Sequence, residues 1–196
     1  MRVITGSARG RKLQTLEGRD VRPTTDKVKE SVFSIIQFQI QGRVFVDLFA
    51  GSGQMGIEAL SRGAEKAYLV DQSLKAIRVI EQNVKTCGFE DNAHICRQDA
   101  AGFLMSAREN FDVVYVDPPF EKGIIDEVLP MLSSKMNKGG VILCESADNE
   151  VLPEEAGDFE VAGDERGEAK GGVFRGVFLV VGGFVCLVDD DESEVV

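Results

Sequence analysis

The sequence predicts an α/β protein built on a doubly wound, mostly parallel β-sheet. From residue 43 onward, short apolar runs alternate with segments whose apolar residues recur at helical spacing, which is typical of successive βαβ units. A glycine-rich turn at 51–53 follows the first apolar run, and an Asp-Pro-Pro-Phe turn at 117–120 follows the fourth. Because open α/β sheets bind ligands at the carboxyl ends of their strands, both turns are expected at one edge of the sheet.

A basic hairpin and a helix are predicted before the sheet begins. The strings "RVIT" and "RKLQTL" flank the turn "GSARG", which indicates two short strands rich in Arg and Lys. The stretch "RPTTDKVKESVFSII" then predicts a helix whose N-cap is Thr24, Thr25 or Asp26. Lys27 and Lys29 are expected to lie off its apolar stripe. The stripe consists of Val28, Val32, Ile35 and Ile36.

Five strands and four helices are predicted over 43–145. The strands are "RVFVDLF" at 43–49, "KAYLV" at 66–70, "AHIC" at 93–96, "FDVVYV" at 111–116 and "GGVILCE" at 139–145. Helices are predicted after Gly53 and over 73–87, 100–108 and 123–134, the last of them broken late by Pro130. The apolar stripe of the helix at 73–87 consists of Leu74, Ile77, Ile80 and Val84. We therefore divide the chain into a hairpin and helix at 1–42, a main domain at 43–188 and an acidic tail at 189–196 that is expected to be disordered.

Charge is distributed unevenly along the chain. The formal net charge is −11, which alone argues against a polyanionic partner. Residues 1–43, however, carry nine Lys and Arg against four Asp and Glu, a local balance of +5, so the remaining residues carry −16. Any surface that contacts a polyanion is therefore expected at the N-terminal end.

Cysteine and histidine usage predicts neither a disulfide framework nor a metal site. Four cysteines, at 87, 96, 144 and 186, form no Cys-x-x-Cys pair and are expected to be reduced. The single histidine, His94, is interpreted as a packed or surface side chain of a strand. No apolar run approaches the roughly 20 residues of a membrane span, and we expect a cytoplasmic protein without membrane contact.

The loop in "DLFAGSGQMGIEAL" contains a G-x-G-x-x-G pattern at Gly51, Gly53 and Gly56, which usually suggests a dinucleotide site. Asp47, at the end of the preceding strand, would repel a pyrophosphate bound at the start of the helix. S-adenosylmethionine carries an ammonium and a sulfonium but no phosphate, so Asp47 favours this methyl donor over a nicotinamide cofactor. A tight turn that binds no ligand is the alternative interpretation.

Two further acids follow the second and third strands. Asp71 lies twenty residues after Gly51, where a carboxylate accepts hydrogen bonds from ribose hydroxyls, a contact that either cofactor would use. Asp99 is expected either to accept a hydrogen bond from an adenine amino group or to cap the following helix, and the sequence does not choose between these roles.

The turn at Asp117, Pro118, Pro119 and Phe120 predicts a rigid rim of hydrogen-bond acceptors beside a stacking face. Two successive prolines remove two N–H donors, which leaves carbonyls and the Asp117 carboxylate to hold the hydrogens of an exocyclic base amine. Phe120 would stack on the base. Asp117 would orient the amine for attack on a methyl carbon and accept its proton after transfer. A rigid turn without a catalytic role is the alternative.

Taken together, "RGRKL", "RPTTDKVKESVF", "DLFAGSGQMGIEALSRGA" and "DPPF" resemble the bacterial RsmD family, which methylates a guanine N2 in 16S ribosomal RNA. The resemblance spans about residues 1–146. It implies a Rossmann-like class I S-adenosylmethionine-dependent methyltransferase fold, with 16S rRNA in the small ribosomal subunit or its assembly intermediate as partner, and nothing in the sequence demands more than a monomer.

The resemblance also implies three groups of functional residues. The catalytic loop comprises Asp117, Pro118, Pro119 and Phe120. The cofactor site comprises Asp47, Phe49, Ala50, Gly51, Ser52, Gly53 and Asp71, with Asp99 as the further candidate. The RNA-binding residues are Arg9, Arg11, Lys12, Arg22 and Lys27, for which a solvated charged face is the alternative.

The chain departs from the family pattern after about Glu145. A closing β-hairpin is expected there, and two strands are predicted near "FEVA" and "VFRGVFLVV", with "FVCLV" as an extra apolar run. The Asp-Pro-Pro-Phe turn is shared with adenine-N6 methyltransferases, so a methyltransferase acting on adenine N6 or another amine is a second hypothesis. A scaffold that binds RNA or cofactor without turnover is a third.

Overall fold

The computed structural model describes residues 1–16, 25–119, 123–147, 155–156, 159–160, 175–181 and 187–188. The helices are α1 Asp26–Ile35, α2 Gln54–Ser61, α3 Leu74–Cys87, α4 Ala100–Ser106 and α5 Ile124–Ser133. The strands are β1 Val44–Asp47, β2 Lys66–Val70, β3 Ala93–Cys96, β4 Phe111–Val116, β5 Met136–Ala147, β6 Glu155–Ala156, β7 Phe159–Glu160, β8 Arg175–Val181 and β9 Leu187–Val188. The predicted α/β class and the order of its elements through β5 are confirmed.

The main sheet has the strand order β3-β2-β1-β4-β5-β8-β9, and its first five strands are parallel. The direction in which the chain adds strands reverses between β1 and β4. Strands β2 and β3 lie on the β1 side of this pair, and β5 lies on the β4 side. At this point Asp47 lies opposite Leu69 of β2 and Tyr115 of β4. Crevices at such reversals are where doubly wound sheets bind ligands, and the loops after β1, β2 and β4 all leave the sheet there.

Helices cover both faces of the sheet, as a buried parallel sheet requires. Helices α4 and α5 pack on one face, where Phe103 and Leu132 meet apolar side chains of β1, β4 and β5. Helices α1 and α2 cover the other face, where Val32 and Met55 pack on Phe45 and Tyr115. Successive side chains of a strand point to opposite faces of the sheet, so apolar residues at adjacent positions contribute to both cores.

The N-terminal segment folds back on itself and packs on the outside of α2 and α3. Arg2 and Lys12 form an antiparallel bridge, and the Val3 N–H donates to the Arg11 carbonyl over 2.9 Å. Buried apolar side chains of this hairpin, including Val3 and Leu13, join a third core with residues of both helices. The predicted hairpin is confirmed as a short turn held by one bridge.

Lys29 is fully buried, so the prediction that it lies off the packed face of α1 is wrong. Its ammonium lies 3.5 Å from Glu58 of α2, which is also fully buried, and donates to the Arg2 carbonyl over 2.6 Å. Glu58 also accepts hydrogen bonds from the backbone N–H groups of Ile4 and Thr5. Because a carboxylate with several donors compensates a buried ammonium, Lys29 is held inside and joins α1, α2 and the hairpin.

Pro130 does not break α5, which continues to Ser133. Proline removes the hydrogen bond to the carbonyl of Asp126, but both residues are exposed, so water can solvate that carbonyl.

Leu74, predicted in the apolar stripe of α3, is 44% exposed, whereas Ile77, Ile80 and Val84 are buried.

Downstream of Glu145, β8 joins β5 in antiparallel register and β9 joins β8. The predicted strand "VFRGVFLVV" therefore contains β8, and the extra apolar run "FVCLV" contains β9. The predicted "FEVA" strand contains β7, which pairs with β6 in a separate two-stranded sheet. The acidic tail at 189–196 lies outside the described residues.

Candidate cofactor and substrate site

The glycine loop turns from β1 into α2, and its glycines have different roles. Gly53 is the N-cap of α2 with φ +77°, a left-handed conformation that glycine adopts without strain. Gly56 lies inside α2, where an added Cβ would be 2.2 Å from a Leu69 side-chain carbon of β2. Gly53 thus permits the tight turn into α2, and Gly56 permits α2 to pack closely on β2.

Asp47 ends β1 beneath this loop and is 2% exposed. Its carboxylate accepts a 3.4 Å hydrogen bond from the Gly56 N–H. Burial raises the pKa of Asp47 to about 8, and the negative charges of Asp117 and Asp71 add to this rise. A cationic ligand bound here would offset the repulsion between Asp47 and the two other acids, and would stabilise the charged form of the buried carboxyl group.

Asp71 directly follows β2 and faces the same loop. One carboxylate oxygen accepts from the Gly51 N–H over 3.0 Å, and the other accepts from the Ser73 N–H over 2.7 Å. Burial raises the pKa of Asp71, while these two hydrogen bonds act against the rise. The carboxylate therefore fixes both the glycine loop and the start of α3.

Asp99 is the N-cap of α4, and its carboxylate accepts a 2.6 Å hydrogen bond from the Gly102 N–H. Of the two roles predicted for it, the cap is confirmed. Asp99 is exposed, and its contact with an adenine amino group stays a prediction.

Three further predicted cofactor residues, Phe49, Ala50 and Ser52, lie in the segment between β1 and α2. Phe49 is half-buried and packs against the core beneath α4 and α5, while the Ala50 N–H donates to the Val70 carbonyl over 2.9 Å. The Ser52 carbonyl accepts a 2.9 Å hydrogen bond from the buried side chain of Asn83 on α3. The loop is thus tied to β2 and α3 as well as to β1.

The predicted catalytic loop follows β4 at the same edge of the sheet. Asp117 is half-buried, Pro118 is buried and Pro119 is exposed. The Leu48 N–H donates to the Tyr115 carbonyl over 3.0 Å, which holds the end of β4 against the segment that leads into the glycine loop. Phe120 lies outside the described residues, so its stacking role stays a prediction.

Behind this loop, the buried Tyr115 hydroxyl donates a hydrogen bond to the Glu145 carboxylate and so joins the ends of β4 and β5. The sequence pattern assigned neither residue a role, and it also missed Asn83. A polar residue beside Ile80 and Val84 on the apolar face of a helix is the signal that could have identified Asn83.

The predicted RNA-binding residues Arg9, Arg11, Lys12 and Lys27 are exposed. The hairpin tip lies at the far ends of α2 and α3: the Ser7 N–H donates to the Ser61 carbonyl, and Arg11 donates to the Thr86 carbonyl over 3.0 Å. Since α2 spans eight residues, the tip lies about 12 Å along that helix from the glycine loop. Arg22 lies outside the described residues.

Three of the four cysteines and the single histidine fall within the described residues. Cys87, Cys96 and Cys144 are free thiols, and His94 is an exposed residue of β3 whose ring stacks on Tyr68. The described residues contain no cluster of three potential metal ligands. None of their helices combines the length and apolar character needed to cross a bilayer.

Comparison with known proteins identifies the family. The model of the family described as conserved hypothetical protein 95 matches residues 1–172. The chain belongs to this family. YlbH of Bacillus subtilis, named as an rRNA methyltransferase, is 40% identical over 81% of this chain and 89% of its own length. Ribosomal RNA small subunit methyltransferase D of Escherichia coli is 36% identical over 67% of this chain, and the match spans 66% of that protein, just under two thirds.

Solved structures support the same assignment. The structure of Escherichia coli yhhF, described as a methyltransferase, has a TM-score of 0.75 and 31% identity, and the match covers 92% of this chain and 97% of that one. More distant structures of this fold, at 15–16% identity, are described as S-adenosylmethionine-dependent or as complexed with S-adenosylhomocysteine, and these show the fold alone. The resemblance to the RsmD family inferred from the motifs is therefore confirmed.

Proposed function

We propose that this protein transfers a methyl group from S-adenosylmethionine to the exocyclic N2 of a guanine in small-subunit ribosomal RNA. The observation that carries the proposal is the position of Asp117-Pro118-Pro119 at the end of β4, beside Asp47 and the glycine loop at the end of β1. The family of the chain and its similarity to ribosomal RNA methyltransferases support the same substrate class. Such a protein would work in the cytoplasm, on the small subunit or its assembly intermediate, and would need no more than one copy.

The buried acid fits a positively charged methyl donor. Asp47 lies at the start of α2, where its charge disfavours a pyrophosphate and favours a cation. When bound, S-adenosylmethionine would supply an electrophilic methyl carbon on a sulfonium. Asp71 would accept hydrogen bonds from its ribose hydroxyls, and the loop residues Phe49, Ala50, Gly51, Ser52 and Gly53 would surround it.

The rim after β4 is suited to hold a base amine. The two prolines cannot donate hydrogen bonds, so the Asp117 carboxylate and the neighbouring carbonyls face the amine as acceptors. In the proposed reaction the guanine nitrogen forms a bond to the methyl carbon, the bond from that carbon to sulfur breaks with its electron pair going to sulfur, and Asp117 accepts the proton. The rate acceleration would come from positioning the amine and accepting its proton, and no covalent intermediate would form on the protein.

Nucleoside analysis after methyl transfer tests the proposal directly. Small ribosomal subunits that lack the modification are incubated with the protein and tritiated S-adenosylmethionine, and the RNA is then digested to nucleosides. We expect N2-methylguanosine. N6-methyladenosine would instead support the second hypothesis, which the Asp-Pro-Pro-Phe turn also permits, and cofactor binding without any product would support the scaffold.

Cofactor affinity is expected to rise with pH up to about 8. The neutral Asp47 predominates below its pKa of about 8, and a cationic ligand favours the charged form, so binding below this pH should release a proton. We expect up to a tenfold decrease in Kd per pH unit between pH 6 and 8, relative to Asp47→Asn measured with the same ligand. This variant is the control because the ligand's own amino group titrates in the same range. Parallel pH profiles for the two proteins, measured by calorimetry, would contradict the proposed role.

Charge reversal in the hairpin is expected to weaken RNA binding in a manner that depends on salt. Arg9→Glu should raise the Kd for small-subunit RNA and lower the slope of log K against log salt by about 1 for each phosphate that the variant no longer neutralises, and adding Arg11→Glu should enlarge both effects. Arg108→Glu, another exposed arginine on the α4 side of the sheet, is the matched control. A short RNA around the target base should lose less affinity, because the hairpin tip is remote from Asp117. An unchanged salt slope in Arg9→Glu would remove the hairpin from the binding surface.

A further inference from the structure

Asn83 is a fully buried polar residue on α3 that no predicted site includes. It lies on the side of α3 that packs under the hairpin and the glycine loop, beside the buried Ile80 and Val84. A buried side-chain amide has four hydrogen-bonding positions, and leaving them unmade is costly. The partners of Asn83 therefore indicate what it stabilises.

The Asn83 amide bonds to two separate segments of backbone. Its Oδ1 accepts from the Gln14 N–H over 2.7 Å, and its Nδ2 donates to the Gln14 carbonyl over 3.0 Å. The same Nδ2 donates to the Ser52 carbonyl in the glycine loop over 2.9 Å. Because Gln14 offers both a donor and an acceptor, the orientation of the amide is fixed by its partners.

These bonds bring the end of the hairpin against the glycine loop. Two residues beyond Gln14, Leu16 lies 3.9 Å from the position that a Cβ on Gly51 would take. At the other end of the hairpin, the Ser52 hydroxyl lies 3.7 Å from the Met1 sulfur. The glycine loop is thus covered on its outer side by the N-terminal segment, and Asn83 bonds to both.

The Ser52 carbonyl belongs to the peptide that precedes Gly53. Gly51 and Gly53 both have positive φ, so the backbone on either side of Ser52 can take up other conformations more readily than an ordinary chain. The Gly51 N–H is held by Asp71 and the Gly53 N–H by the Ala50 carbonyl, while the Ser52 carbonyl is held by Asn83. Asn83 therefore adds a bond from α3 to a turn that is otherwise held by β2 and by its own backbone.

We infer that Asn83 is a positioning residue that holds the glycine loop in its cofactor-binding conformation and joins it to the hairpin. The inference rests on the proposed function in that it takes this loop as the cofactor site. Asn83 does not contact the cofactor itself; it acts through the Ser52 carbonyl. Its loss should therefore affect cofactor affinity more than RNA affinity, since the hairpin keeps its separate bonds to Glu58 and Ser61.

Asn83→Asp tests the inference with little change in shape. In its ionised form the new carboxyl group can still accept from the Gln14 N–H, but it has no hydrogen to donate to the carbonyls of Ser52 and Gln14. Asn83→Ala removes the donor whatever the protonation state of the side chain. The matched control is Asn92→Asp, because Nδ2 of the exposed Asn92 also donates to a distant carbonyl, that of Glu65, over 2.8 Å. That bond joins the segments before β2 and β3, at the amino ends of the strands.

Calorimetric titration with S-adenosylhomocysteine should show a roughly tenfold higher Kd for Asn83→Asp and a change below twofold for Asn92→Asp. At saturating methyl donor, kcat should fall less than threefold and the KM for RNA should change less than threefold. Asn83→Ala is the second variant, since it introduces no buried charge, and thermal unfolding identifies the folded fraction of each protein. A cofactor Kd within twofold of wild type in the folded fraction of both variants would overturn the inference.

Hydrogen exchange on the cofactor-free protein gives a readout that does not depend on the proposed activity. Peptides that cover residues 48–56 should exchange faster in Asn83→Asp than in wild type, and should be unchanged in Asn92→Asp. If wild type binds no S-adenosylhomocysteine, the proposed function fails, and this exchange measurement still decides whether Asn83 holds the loop. Equal exchange in Asn83→Asp and wild type would reject that role.

Discussion

Replacement of Asp117 by alanine is expected to lower kcat for methyl transfer by at least about 10²-fold while the Kd for the methyl donor changes less than threefold. The carboxylate follows β4 at the edge where the base amine would bind, whereas the proposed cofactor contacts come from the loops after β1 and β2. A residue that orients the amine and accepts its proton acts mainly in the transition state, so its removal lowers the rate more than binding.

The Asp117→Ala experiment needs a binding measurement beside the rate. Single-turnover methyl transfer gives the rate, and calorimetry with S-adenosylhomocysteine gives the affinity. Asp117→Asn separates the two roles of the carboxylate, because the amide can still accept a hydrogen bond but is a poor proton acceptor. Asp91→Ala, an exposed acid in the turn before β3, is the control. Equal losses of rate and cofactor affinity in Asp117→Ala would show that Asp117 supports the cofactor site.

The parallel strands and the loops that follow them were predictable, because they depend on residues that are close together in the sequence. The alternation of apolar runs and helical stripes indicated the parallel strands β1 to β5, and the acids and glycines of the site follow strand ends by only a few residues. Once the strands are parallel, these loops must meet at one edge. The position of Asp47, Asp71 and Asp117 at one edge of the sheet thus follows from local pattern and topology.

Features that depend on distant partners were not predictable in this way. Lys29 has the pattern of a surface residue until Glu58 is placed beside it, and these residues are 29 positions apart. Asn83 bonds to Gln14, which is 69 positions away. In both cases a polar side chain is buried because the tertiary fold supplies its partners, and no helical period indicates such a partner.

The acid that the proposed cofactor requires is expected to destabilise the protein when the cofactor is absent. The pKa of Asp47 is about 8 in the fold against an ordinary value of 3.8, so the folded state binds more protons than the unfolded state between these values. Stability attributable to this group therefore falls as pH rises from about 4 to 8, and the full cost is present above pH 8. This destabilisation has a functional reason if the same burial strengthens attraction to a cation.

Asp47→Asn is consequently expected to raise stability and to impair cofactor binding. The amide is neutral at every pH and can still accept the hydrogen bond from the Gly56 N–H, so we expect a gain on the order of 2 kcal/mol at pH 7.5, or about 4–8 °C in Tm. The gain should shrink toward pH 4, where the wild-type carboxyl group becomes neutral in both states. Cofactor Kd should rise by about 10²-fold at pH 8.

Thermal unfolding of wild type and Asp47→Asn across pH 4–9, without cofactor, measures the first effect, and calorimetry at pH 8 measures the second. Asp71→Asn provides the comparison, since Asp71 is less buried and accepts two backbone hydrogen bonds, and its variant should gain less stability. A lower Tm for Asp47→Asn at pH 8 would mean that the charged carboxylate is well compensated by the surrounding protein. In that case Asp47 would hold the glycine loop in place without any cationic ligand, and the electrostatic argument for the methyl donor would no longer stand.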